Sequence, residues 1–184
     1  MANRGSWFFE GYQAHYVIDE TGKRKKVLTY TGEYYGIEPP SAHRKARLWT
    51  AVDVVALTVV LLLLQFFPGL GGTLPWVGAP CMWALVPLMF LIIGEVNFLV
   101  CKEKWEARRL YAGYRRIKRS AWGLVLLTGY VCLAHGVTLF LFPQLFPAEL
   151  YYTLGALVCT LLSAGLLLIQ RTFPAYAVQG PTIR

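Results

Sequence analysis

Four stretches of the chain, about Leu48–Phe67, Cys81–Cys101, Ala121–Phe142 and Leu150–Gln170, are almost free of charge. About 20 apolar residues in a helix reach across a hydrocarbon layer of about 30 Å. A helix also satisfies its own backbone polar groups, which lipid cannot do. The pattern therefore predicts an all-α integral membrane fold, a four-transmembrane-helix bundle. Composition agrees: 56% of the 184 residues are hydrophobic, and the mean hydropathy is +0.45. Soluble domains are rarely so apolar.

The cations divide the chain. Of 18 Lys and Arg residues, 8 precede the first stretch and 8 lie between the second and third. The last two, Arg171 and Arg184, are in the tail. The connections after the first and third stretches have none. Basic segments stay on the cytoplasmic side of a membrane. The expected arrangement is a multi-pass protein of the cell membrane with both termini and the middle loop in the cytoplasm. Its parts are a segment over 1–47, a transmembrane domain over 48–170 with a cytoplasmic loop over 102–120, and a tail over 171–184. Aromatic residues are expected to form belts at headgroup depth. Trp49, Trp105, Trp122, Phe173 and Tyr176 would be on the inner side. Trp76, Trp83, Phe146, Tyr151 and Tyr152 would be on the outer side. Residues 1–17 lack the apolar core of a cleavable signal peptide, so the first span is expected to serve as an uncleaved anchor.

The segment over 1–47 carries a hairpin signal. His15–Ile18 and Val27–Tyr30 are β-prone, and Gly22 lies in the polar stretch between them. A lone hairpin is marginal in water, so it needs support; the tyrosine-rich stretch from Tyr30 to Gly36 is suited to supply a contact. Ser41, after Pro39 and Pro40, is placed to cap the helix that enters the first span. The middle loop reads as a basic amphipathic helix. Leu110, Tyr111, Tyr114 and Ile117 would form its apolar side, and Arg108, Arg109, Arg115, Arg116 and Arg119 a side facing anionic lipid. Nucleic acid is an unsuitable partner for a basic patch held this close to a bilayer.

Spans three and four carry small residues every fourth position: Thr128, Cys132 and Gly136 in one, Gly155, Cys159 and Ser163 in the other. Small side chains let membrane helices approach closely. In an antiparallel pair, Thr128 and Ser163 both fall in the inner half, and Gly136 and Gly155 both fall in the outer half. This hairpin is expected to be the tightest helix pair. The four cysteines contain no Cys-x-x-Cys pair and read as small packing residues.

Four polar side chains inside the apolar stretches are candidates for function. Glu95 is about 9 Å from the inner end of the second span, and Asp53 about 8 Å from the inner end of the first. Two acids at one depth on neighbouring helices have two readings. They could share a proton or cation, as intramembrane acids on ion pathways do. Alternatively, each could be a structural group paired with a cation such as Arg47 or Arg119, and this second reading leads. Asn97 is about 200° around the helix from Glu95 and is a candidate for a hydrogen bond across helices. His135 reads as a hydrogen-bonded packing residue, because no second intramembrane histidine exists to complete a haem site.

No Gly-x-Ser-x-Gly, phosphate-cradling glycine loop or His-Glu-x-x-His motif occurs. The expectation is therefore a non-enzymatic membrane protein without cofactor or metal. It would act as an accessory or assembly component through a homo-oligomer or a membrane protein partner. A proton-coupled transporter using Glu95 with Asp53 is the alternative reading. A sensor of anionic membrane lipids is the third.

Overall fold

The computed structural model describes residues 12–18, 23–66, 75–101, 103–146 and 148–178. The expected hairpin turn at 19–22, most of the connection at 68–75, Lys102, Pro147 and the end of the tail lie outside them. The chain is mostly helical, with two small sheets. Four helices are long and apolar enough to cross a membrane: Pro40–Phe66, Gly78–Val100, Ala107–Leu141 and Glu149–Thr172.

Helix α1 (Pro40–Phe66) begins earlier than its apolar run. Pro40 takes the first helical position, where a missing N–H is harmless and φ is already set. The Pro39 carbonyl accepts from the amides of Ala42 (2.8 Å) and His43 (3.3 Å). Ser41 is therefore inside the helix and not its cap. The second span is built from two pieces, α2 (Pro75–Trp83) and α3 (Leu85–Val100), separated at Ala84.

The expected surface helix over 102–120 is not a separate element. A short strand β4 (Trp105–Glu106) leads into α4 (Ala107–Leu110), a π-helical turn (Tyr111–Arg115) and α5 (Arg116–Leu141). These form one continuous helix, the third long one. The middle-loop sequence continues that helix because Gly113 and Ile117 pack against α3. Tyr111, assigned to the apolar side from its spacing, is instead exposed. The wider turn brings Gly113 against Phe98, where a Cβ would lie 3.2 Å from the Phe98 backbone nitrogen. Gly94 is equally close to the Ile117 backbone, at 3.2 Å. These two glycines set how near α3 and α5 can come.

Helix α6 (Ala148–Thr172) follows a short 3₁₀ turn at Pro143–Leu145. The α5–α6 contact is the most extensive in the protein, and α6 also packs on α1. Helix α3 packs on α5 and more sparsely on α1. Leu57, Leu91, Leu124 and Leu166 are fully enclosed between helices. In lipid such residues stabilise by close packing, since lipid tails are as apolar as leucine.

Three distant segments meet in one sheet. Strand β3 (Tyr34–Gly36) is central, antiparallel to β4 on one side and to β5 (Tyr176–Val178) on the other. The segment before α1, the segment before α4 and the tail therefore lie at one end of the helices, the basic end. Beneath the sheet is an aromatic cluster. Trp105 has ring centroids within 5.4 Å of His43, 5.5 Å of Phe98 and 6.0 Å of Tyr114. Trp105 is thus a core residue, not a belt residue, because strand pairing with Tyr35 turns it inward. Tyr152, assigned to the outer belt, is also buried. The π turn is fastened to α6: the Gln170 amide donates to the Tyr114 carbonyl (2.9 Å), and the Tyr114 hydroxyl reaches the Gln170 carbonyl (2.8 Å).

Strands β1 (Tyr12–Ile18) and β2 (Arg24–Tyr30) form the expected hairpin, each strand starting a few residues earlier than its β-prone run. Two tyrosines dock it. The Tyr30 hydroxyl donates to the Glu33 carbonyl (2.9 Å) and accepts from the Ala107 amide (3.2 Å). The Tyr12 hydroxyl donates to the Glu106 carboxylate. Burial first, and then the hydrogen bond to Glu106, push the Tyr12 phenol up from 10.0 to about 12. A raised phenol pKa means that the fold favours the neutral form. The resulting stabilisation is complete below pH 10 and is lost as pH rises through 12. Ultraviolet titration should therefore place the Tyr12 phenolate late, as the difference between wild type and Tyr12→Phe. Glu106→Gln should bring that transition earlier. An unchanged transition in Glu106→Gln would mean that the contact is absent in solution.

Candidate functional site: carboxyl groups buried between the helices

Glu95 sits on the α3 face that meets α1, and only 4% of it is exposed. Its Oε1 lies 3.2 Å from the Thr50 hydroxyl. That hydroxyl also lies 2.9 Å from the Ala46 carbonyl. With one proton, Thr50 can donate to Ala46 or to Glu95, but not fully to both. The second carboxyl oxygen, Oε2, is buried without a hydrogen-bond partner. Arg47 does not pair with the acid. Its Nη2 donates to the Leu99 carbonyl, one of the groups left open at the end of α3.

Asp53 is three residues along α1 from Thr50 but faces a different seam. A Cβ on Gly165 of α6 would lie 3.3 Å from Asp53 Oδ2, so that glycine makes room for the carboxyl. Asp53 Oδ2 is also buried and unpartnered. No hydrogen bond joins Asp53 to Glu95, and neither forms an ion pair among the described residues. Their similar depth does not bring them together, because one points from α1 to α6 and the other from α3 to α1. Asn97 bonds within its own helix, donating to the Ile93 carbonyl (2.7 Å), and makes no bond across helices. It faces the α3–α5 side, away from Glu95.

His135 is paired with a residue that the sequence reading did not single out. Its Nδ1 lies 2.6 Å from Glu149 Oε2, and both side chains are buried. The Tyr152 ring stacks on the imidazole at 5.0 Å and 9°. Glu149 is in the first turn of α6, where an acid is ordinary because it complements the helix dipole. That ordinary role hides the pairing. The signal that could have revealed it is depth: His135 is near the end of α5 and Glu149 near the start of α6, at the same end of an antiparallel pair.

The small-residue stripes do not meet residue for residue. Thr128 Oγ1 lies 3.0 Å from Thr160 Oγ1, three residues from Ser163 along α6. Cys132 Sγ points to the Thr153 carbonyl at 3.6 Å. Ser163 is fully buried and bonds back to the Cys159 carbonyl (2.8 Å). Gly155 packs on α1, where a Cβ would lie 2.4 Å from Leu64 Cδ2, while nothing lies within 4 Å of a Cβ on Gly136. The two glycines therefore do not face each other.

The five arginines also separate. Arg108, Arg116 and Arg119 line a groove between α3 and the α4–α5 helix. Arg109 lines a cavity at the basic end with His43, Arg47 and Glu106. Arg115 lies over the Tyr111 ring, 4.2 Å from its centroid. A helix buried on one side presents its remaining positions to several neighbours, so the cations do not form one flat face.

Two cavities bear on Glu95. One, of about 330 Å³, runs along the α1–α3 seam; Glu95 backs it, and its walls include Val55 and Val59 of α1 and Ile92 and Val96 of α3. The other is the cavity at the basic end, which Arg47 lines and Glu95 does not. Among the described residues, no group of three or more His, Cys, Asp or Glu is placed to hold a metal ion.

No protein family, curated protein or solved structure matches the chain. Among the described residues, Glu95 Oε2 and Asp53 Oδ2 share the lack of a hydrogen-bond partner with His43 Nε2 and Gln170 Oε1. A carboxyl oxygen enclosed without a donor costs free energy unless a proton or a partner supplies the bond.

Proposed function

We propose that the chain is a multi-pass membrane protein, its basic end in the cytoplasm, that acts as an accessory or assembly component by docking a transmembrane helix of a partner protein. The observation that carries this reading is the α1–α3 seam. It is sparser than the α5–α6, α1–α6 and α3–α5 contacts, and its apolar groove runs beside Glu95. Exposed β-branched residues, Val52, Val55 and Val59 on α1 and Val96 on α3, flank it. Short branched side chains permit close helix approach at little entropic cost, because their rotamers are already restricted. The sheet at the basic end ties the start of α1 to the start of α4 and the end of α6.

The test is extraction from native membranes, with mass measured for wild type and for Val55→Trp, which fills the groove. Wild type should be recovered in a stoichiometric complex with its partner. Val55→Trp should be recovered alone with its helicity intact. A self-associated wild type released by the same substitution would make the occupant a second copy. A lone wild-type monomer, whose seam labels as readily as the rest of the lipid-facing surface, would end this reading.

The unpartnered oxygens of Glu95 and Asp53 support a second reading, a proton-coupled transporter in which Glu95 takes up and releases the proton and Asp53 modulates it. In liposomes, Glu95→Gln should then abolish proton-linked flux while the protein remains folded. Undiminished flux would remove Glu95 from the mechanism.

A further inference from the structure

We infer that the groove between α3 and the α4–α5 helix binds one anionic phospholipid, with its phosphate on Arg116 and Arg119 and an acyl chain along Phe90 and Pro87. The groove encloses about 910 Å³, and no acidic residue among the described ones lines it. Its two ends differ in chemistry. Arg108, Arg116 and Asn97 lie toward the basic end, whereas Phe90, Pro87 and Val86 form the deeper wall. This order follows from antiparallel packing: Phe98 meets Gly113, Gly94 meets Ile117, and Pro87 meets Gly123.

The arginines are placed to meet a headgroup although their backbones lie deeper. Helical side chains lean toward their own N-terminus, and the N-terminus of this helix is at the basic end. The Arg116 and Arg119 stems can therefore lie along apolar wall while their guanidiniums turn back toward headgroup level. Among the described residues, neither arginine forms an ion pair. Two planar donor forks without a carboxylate partner, above an apolar trough, complement a phosphate that carries a hydrocarbon tail. A soluble phosphate would have no use for the trough. The inference rests on the chain lying in lipid, and it is independent of a partner in the α1–α3 seam.

Native mass spectrometry of the full chain, with equal amounts of phosphatidylglycerol and phosphatidylcholine, tests the inference. Wild type should retain one phosphatidylglycerol in preference to phosphatidylcholine. Arg116→Gln with Arg119→Gln should weaken that binding by about thirtyfold. Arg115→Gln with Lys118→Gln removes the same charge outside the groove and should bind as wild type. Ala112→Trp keeps every charge but fills the groove, and should lose the lipid. It decides the matter if the double arginine variant does not fold. Equal retention of the two lipids, full binding by Ala112→Trp, or displacement by inorganic phosphate alone would overturn the inference. Membrane insertion is checked separately: cysteines placed at Gly71 and Gln144 should label only from outside intact cells.

Discussion

Replacing Trp105 with alanine should lower the unfolding free energy by about 3–5 kcal/mol, the range for removing a large buried aromatic. Trp105 is 1% exposed. Its ring is shared by α1 through His43, by α3 through Phe98 and by the π turn through Tyr114. Aromatic pairs of this kind add about 0.5–1.5 kcal/mol each beyond their buried area. The residue is also a partner of Tyr35 in the central strand, so its loss should loosen the sheet that gathers three chain segments. Hydrogen exchange should rise at Tyr34–Gly36 and at Tyr176–Val178 together. Trp49→Ala is the control, because Trp49 is 57% exposed and should change stability by only about 0.5 kcal/mol. Similar losses in the two variants would mean that the cluster under the sheet is not a core.

Glu149→Ala should be nearly as damaging, at about 3 kcal/mol, for a different reason. It leaves the His135 imidazole buried with Nδ1 unpaired. Deleting one partner of an enclosed polar pair costs more than replacing both, since no desolvated group is then left over. His135→Leu combined with Glu149→Leu should therefore return to within about 1 kcal/mol of wild type. Glu149→Gln, which retains one hydrogen bond to the ring, should fall between. Thermal unfolding in a fixed detergent measures all three. A double variant as unstable as the two single losses added together would show that the pair contributes through contacts other than its own bond.

Much of the architecture could be read from the sequence. The four long apolar helices follow from length and the absence of charge, which depend on single residues and not on their neighbours. The hairpin followed from alternating β-prone runs around a turn. What the sequence concealed was contact between distant segments. The strands at Tyr34–Gly36, Trp105–Glu106 and Tyr176–Val178 are too short to have a periodic signature. They exist because they find one another. The loop over 102–120 looked like a surface helix because its cations and apolar residues alternate at helical spacing. Spacing alone cannot tell whether the apolar side meets lipid or another helix.

The buried polar groups divide in the same way. Residue type and position placed Glu95, Asp53 and His135 inside apolar surroundings without reference to any fold. Which partner each would find depended on the rotation of its helix, and a rotation of one residue changes the facing direction by about 100°. That is why equal depth did not join Asp53 to Glu95, and why Arg47 serves the Leu99 carbonyl instead of an acid.

The sequence by itself determined that the chain forms four lipid-length helices with its cations gathered in two segments and a tail, because hydrophobicity and charge act locally. Only the tertiary structure decided that those basic segments join in one sheet, that His135 meets Glu149, and that the arginines separate into different cavities. Those outcomes depend on how helices rotate and pack against each other, which small residues such as Gly94, Gly113 and Gly155 control through distances of closest approach.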